Sequence, residues 1–196
     1  MAQVSANCYF AALGLCAMMP ARGYCELMLG ASSHFEIRRG SLSDAPALCE
    51  VFRHAWNQAY QGIIPHYHLE SIIRRRSPDW WKSTIRSGNG LLVLQVAGSV
   101  VGYATLGAAR MRGEHEGEIY ELYVTPTHQG LGFGEHLFEA CRYHLDTRKF
   151  AGLIVWALAD NAAATDFYWR RGGQPIGLGF ECFGERKLQK IAFAWD

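Results

Sequence analysis

The chain has 196 residues, 49% hydrophobic and 19% charged, a size and composition that exclude the disordered and fibrous classes and suit one compact domain. At this length folding buries roughly 70% of the unfolded surface, so an apolar core needs neither disulfides nor metal to hold it. Lys and Arg number 19 against 18 Asp and Glu, a formal charge of +1, which removes the electrostatic footprint of a nucleic-acid or acidic-membrane binder and leaves a small-molecule site as the starting expectation.

Residues 1–33 are small and apolar and carry three of the six cysteines, without a clear helix or strand period. They read as a dispensable N-terminal extension, with Met28 a candidate natural start, and residues 34–196 as the folded domain. The 12 residues Cys8 to Met19 are too few to span a bilayer, and Met1 to Asn7 offers no basic leader, so no membrane anchor is expected. The six cysteines show no C-x-x-C spacing and read as reduced, mostly buried thiols, which favours the cytoplasm.

From residue 34 the periodicities are legible. Phe35 to Arg38 alternates as a half-buried strand; Ser43, Asp44 and Pro46 then open a helix whose apolar stripe is Leu48, Phe52, Ala55, Trp56 and Ala59, ended by Gly62 and Pro65. Helical stretches follow over about 69–76 and 79–86. Leu91 to Val96 and Val100 to Gly107 make a hairpin around Ala97-Gly98-Ser99, and Glu118 to Val124 a further strand. Gly130 to Gly134 leads into a helix with the face Leu137, Phe138, Cys141 and Leu145. The unbroken apolar run Leu153 to Leu158 fits a strand paired in parallel across that helix, a βαβ unit. A helix from Asn161 to about Arg171 and two last strands, about 175–182 and 188–195, complete one α/β domain on a mixed sheet.

In Val124-Thr-Pro-Thr-His-Gln129-Gly130-Leu131-Gly132-Phe133-Gly134 a strand ends, Pro126 turns the chain, and three glycines open a helix. Backbone N–H groups there can converge on one anion without side chains in the way, although glycines alone also serve close strand–helix packing. No Gly-Lys-Ser/Thr follows, which excludes a P-loop. The G-x-G-x-G spacing and the distance to Asp160 make a dinucleotide-binding oxidoreductase the weaker reading.

Gln129 to Gly134 resembles the Q/R-x-x-G-x-G/A motif with which the GNAT acetyltransferases hold the pyrophosphate of acetyl-CoA. Asn161-Ala-Ala-Ala164-Thr-Asp-Phe167-Tyr168-Trp-Arg-Arg-Gly172 is similar to their second signature, N-x-x-A-x-x-F-Y-x-x-x-G, in the right order and spacing. The likeness covers about residues 35–195 and departs at Gly173, where these proteins commonly have Phe. It implies a mostly antiparallel seven-stranded sheet with helices on both faces, a central parallel βαβ unit, and acetyl-CoA as co-substrate without a metal. The acetyl group would pass directly, in a ternary complex, to a primary amine of a small molecule or peptide. A noncatalytic acyl-CoA-binding regulatory domain is the alternative.

The resemblance further implies that Tyr168 acts as general acid beside the sulfur and that Asn161 bonds the pantetheine arm. The backbone of Leu122, Tyr123 and Val124 would polarise the carbonyl, with Gln129, Gly130, Leu131, Gly132, Phe133 and Gly134 around the diphosphate. Glu118 or Glu121 would take the amine proton. Glu118 is slightly preferred, six residues before the strand-ending valine; relatives differ in which position they use. Trp56, Tyr60, Trp80 and Trp81 are candidates for an aromatic acceptor wall, as are Phe180 and Phe183, and a homodimer is compatible with this reading. His66 and His68 lack a third ligand for a metal, Arg74 to Arg76 reads as a solvated helix end, and Cys141 reads as a packed thiol.

Overall fold

The computed structural model describes residues 35–88, 90–111 and 113–196; the extension at 1–33, with Met28, Cys8, Cys16 and Cys25, lies outside them. The element order is β1 (Phe35–Arg39), α1 (Ala45–Tyr60), α2 (His66–Arg75), α3 (Pro78–Arg86), β2 (Gly90–Val96), β3 (Ser99–Ala108), β4 (Gly117–Val124), α4 (Phe133–Thr147), β5 (Leu153–Leu158), α5 (Ala162–Arg170), β6 (Gln174–Phe183) and β7 (Arg186–Trp195). The seven strands form one sheet in the order β1-β2-β3-β4-β5-β7-β6. Every neighbouring pair is antiparallel except β4 and β5, joined through α4 as the unbroken apolar run 153–158 requires.

Helices cover both faces because alternate strand residues are apolar on each. On one face Leu92, Leu94, Ala104, Leu106, Ile119, Val155 and Phe193 pack with Leu137, Phe138, Cys141 and Leu145 of α4 and Tyr168 of α5. On the other, Leu91, Val93 and Tyr103 meet Leu48, Val51 and Phe52 of α1 and Trp81 of α3. A smaller cluster, Ile64, Leu69, Leu158 and Leu188 with Phe183, ties the α1–α2 link to the β6–β7 hairpin. β6 is an outer strand, with Leu178 and Phe180 more than half exposed. The expectation of mostly buried thiols is corrected in part: of the described cysteines Cys141 is buried, Cys49 half-buried and Cys182, on that outer strand, exposed.

The start of α1 is fastened electrostatically. Asp44 receives Arg38 through both carboxylate oxygens at 2.8 Å and the Ser41 N–H at 2.7 Å. The hydrogen bond from Arg38 is the chief reason its pKa is lowered to about 2, against the cost of burial. A folded-state pKa below the unfolded value contributes stability above the ordinary carboxylate range, lost as pH falls from about 4 toward 2. Asp44→Asn is therefore expected to lower the unfolding free energy by about 2 kcal/mol at pH 7 and to flatten the loss of stability in that acid window, as read by denaturant titration.

Candidate active site

The parallel pairing that centres the sheet is brief. Gly117, Glu118 and Ile119 pair with Leu153, Ile154 and Val155; beyond them β4 continues only against β3, and β5 only against β7. The two strands part, leaving the edge of β4 from Tyr120 to Tyr123 open to a ligand inserted between them. This wedge opens toward the C-terminal ends of both strands, where α4 and α5 begin.

The glycine turn stands at its mouth. Gly130 and Gly132 sit at φ +74° and +83°, a region L side chains rarely adopt, and a Cβ at either would meet nothing within 4 Å. These glycines are there for backbone conformation and open space, not for close packing. Gly134 does approach a neighbour, the Phe167 ring at 3.4 Å from a notional Cβ. Among the described residues, none of the N–H groups from Gly130 to Gly134 has a hydrogen-bond acceptor. Consecutive orphan donors at the positive end of the 15-residue helix α4 make a site for phosphate-type oxygens. The Gln129 amide is turned back, donating to the Val124 carbonyl at 2.9 Å. Its side chain braces the turn, and Leu131 points to solvent.

α5 supplies the opposite wall. Asn161 is buried and caps the helix, accepting from the Ala164 N–H at 3.2 Å. Tyr168 lies among the rings of Phe138, Phe167, Phe193 and Trp195. Burial raises its pKa, with Tyr60 and Cys141 adding smaller contributions. At Gly173, where the resemblance departs, no space is left: a Cβ there would fall 2.6 Å from the Trp195 indole, which fills the position and donates to the Arg171 carbonyl.

The carboxylates are brought to one side by an irregularity. The β3–β4 register steps from Thr105↔Glu121 to Leu106↔Ile119, so Tyr120 is an extra residue. Glu118 opposite Gly107 and Glu121 opposite Thr105 therefore share the face toward α1. Their surroundings differ. Glu118, 1% exposed, is held by Arg110 through Nε at 3.0 Å, Nη2 at 2.5 Å and the backbone N–H at 2.8 Å, near the paired end of β4. Glu121 stands beside the wedge, accepting from Arg76 Nη2 at 2.6 Å and from the Tyr103 hydroxyl at 3.2 Å. Burial raises its pKa, and the Arg76 charge is the largest opposing influence.

Tyr60, from the end of α1, shares a 2.9 Å hydrogen bond with the Tyr123 hydroxyl beside these groups, and Trp56 packs on both rings. Among the described residues the buried Trp56 indole nitrogen has no hydrogen-bond partner. Trp81 is core, Trp80 stacks on Arg76, and Phe180 lies on the outer strand. Arg76 corrects the reading of residues 74–76 as a solvated end: Arg74 and Arg75 are exposed, but Arg76 turns inward. Only the presence of a carboxylate at an inward position of β4 could have signalled it. His68 lies against Gly184 of the β6–β7 turn.

Residues 48–173 match the acetyltransferase (GNAT) family. The chain is 30% identical over 162 residues to the uncharacterized N-acetyltransferase YuaI of Bacillus subtilis, an alignment covering 81% of this chain and 91% of that one. Its fold is similar to that of a ribosomal-protein-alanine N-acetyltransferase from Brucella melitensis (TM-score 0.61, 26% identity, 82% of this chain and 98% of the other). The fold is also shared with the PaiA N-acetyltransferase of Thermoplasma acidophilum, solved with coenzyme A (TM-score 0.65, 20% identity, 82% and 99%). The parted strands, the bare-amide turn and the extent of these matches agree, and the chain belongs to the acetyltransferase (GNAT) family.

Proposed function

We propose that the protein is an acetyl-CoA-dependent N-acetyltransferase that transfers the acetyl group directly to a primary amine. The observation that carries this reading is the run of N–H groups from Gly130 to Gly134, without acceptors among the described residues, at the mouth of the β4–β5 wedge. The turn fits a diphosphate, Asn161 and the free edge of β4 fit an amide-bearing arm, and that arm would end between Glu121 and Tyr168. The solved coenzyme A complex of the similarly folded PaiA protein supports the choice of donor. The donor supplies an activated thioester.

The chain's own groups complete the chemistry. The acceptor nitrogen forms the new C–N bond as the C–S bond breaks; its proton passes to Glu121, and the departing sulfur takes one from Tyr168. Glu121 is the better base because Arg110 gives three N–H groups to Glu118 whereas Arg76 gives one to Glu121, and because a raised pKa brings a carboxylate closer to an amine's proton affinity. Tyr168 stays protonated at every working pH. Burial, the chief cause of its raised pKa, keeps the hydroxyl in the protonated form that a proton donor needs.

The test is thiol release from acetyl-CoA across a panel of amines with wild type and Glu121→Gln. Wild-type kcat/KM should fall on acidification through a pKa above the ordinary carboxylate range of about 4.3, because the base must be ionised. The variant should lose about tenfold to a hundredfold at pH 7 together with that limb. Acetyl-CoA binding without thiol release from any amine would instead favour the noncatalytic domain.

A further inference from the structure

Arg76 is under-used where it stands. It leaves the C-terminus of α2, and its backbone is pinned by Cys49, whose thiol donates to the Arg76 carbonyl at 3.2 Å. The guanidinium lies 3.8 Å from the Trp80 ring and 5.0 Å from the Phe52 ring, which fixes its plane. Only 22% of the side chain is exposed. A guanidinium presents five N–H donors, yet Arg76 spends only Nη2, on a single oxygen of Glu121; among the described residues the others meet no acceptor. Arg110, by contrast, gives three N–H groups to Glu118. A planar, oriented and half-buried fork with free donors is a receptor for a carboxylate.

We propose that the acceptor is an amine bearing its own carboxylate, of the α-amino acid kind, with the carboxylate on the free donors of Arg76 and the amine at Glu121. This rests on the transferase reading above and deepens it. The charges close: Arg76 and Glu121 neutralise each other in the free protein, and a zwitterion adds one anion beside the cation and one amine beside the base without leaving a buried charge unpaired. A polycation would find no comparable match, since Arg110 has already neutralised Glu118, the other carboxylate that β4 contributes to this face. The aromatic rings of Trp56, Tyr60 and Trp80 favour an apolar side chain on the acceptor.

The experiment compares, with the full chain and acetyl-CoA, a panel of apolar α-amino acids with their methyl esters and decarboxylated amines, each rate referred to its free-base fraction. The amino acids should show kcat/KM at least about tenfold above both counterparts. Arg76→Gln should raise their KM about tenfold or more and erase the preference, and Arg76→Lys, which keeps the charge without the fork, should restore it in part. Esters or simple amines turned over as well as the acids would overturn the proposal while leaving the transferase intact, as would a preference that survives Arg76→Gln. If no amine is acetylated, the transferase reading fails, and calorimetry of the same amino acids still decides the site: binding abolished by Arg76→Gln supports it, and no binding to wild type overturns it.

Discussion

Gly132→Asp is expected to weaken acetyl-CoA binding by at least about a hundredfold while the chain remains folded. Two costs act together. At φ +83° an L side chain costs roughly 1–2 kcal/mol, equivalent to about tenfold if the turn relaxes to relieve it. The aspartate then sets a negative charge at the end of α4 where the proposed diphosphate would sit, cancelling the attraction of the helix terminus and repelling the ligand. The space around Gly132 is open, so the substitution creates no clash in the core, and the thermal midpoint should drop by only a few degrees. Gly132→Ala separates the two contributions: it carries the strain alone and should retain binding weakened about tenfold. Calorimetric titration with acetyl-CoA measures both. Wild-type affinity in the aspartate variant would remove the turn from the binding site, and with it the proposed transferase.

The second large effect belongs to Tyr168. Removing its hydroxyl in Tyr168→Phe keeps the ring among Phe138, Phe167, Phe193 and Trp195, so packing and acetyl-CoA affinity should hold within about threefold. The sulfur then leaves without a donor in a site that stabilises bare charge poorly. A loss of about a hundredfold to a thousandfold in kcat is expected, within the range for a positioned proton donor. Steady-state rates alongside the acetyl-CoA dissociation constant decide it: an unchanged kcat would return Tyr168 to a purely structural role.

Much of this architecture is legible in the amino-acid sequence, because its elements follow apolar periodicity: the α1 stripe, the α4 face and the 153–158 run all stand where their spacing puts them. The glycine turn was legible for the same local reason. What escaped the sequence depends on contacts between distant residues. Nothing in Glu118 to Val124 announces that β5 leaves β4 after Val155, or that Tyr120 is an added residue shifting Glu121 into phase with Glu118. Arg76 resembled its exposed neighbours, and its inward turn is set by Trp80 and by a carboxylate 45 positions later. Gly173 looked like missing bulk until Trp195 proved to fill the space from the last strand. The position of an element is written locally, whereas the partners of its polar side chains are written elsewhere in the chain.

The added residue in β4 bears on how such a strand changes over evolutionary time. Two sites three apart look the same way, so a lineage can retire one acidic group and recruit the other by point substitution, with no insertion and no rebuilding of the sheet. The duty of proton acceptor can drift along the strand while the architecture around it stays still.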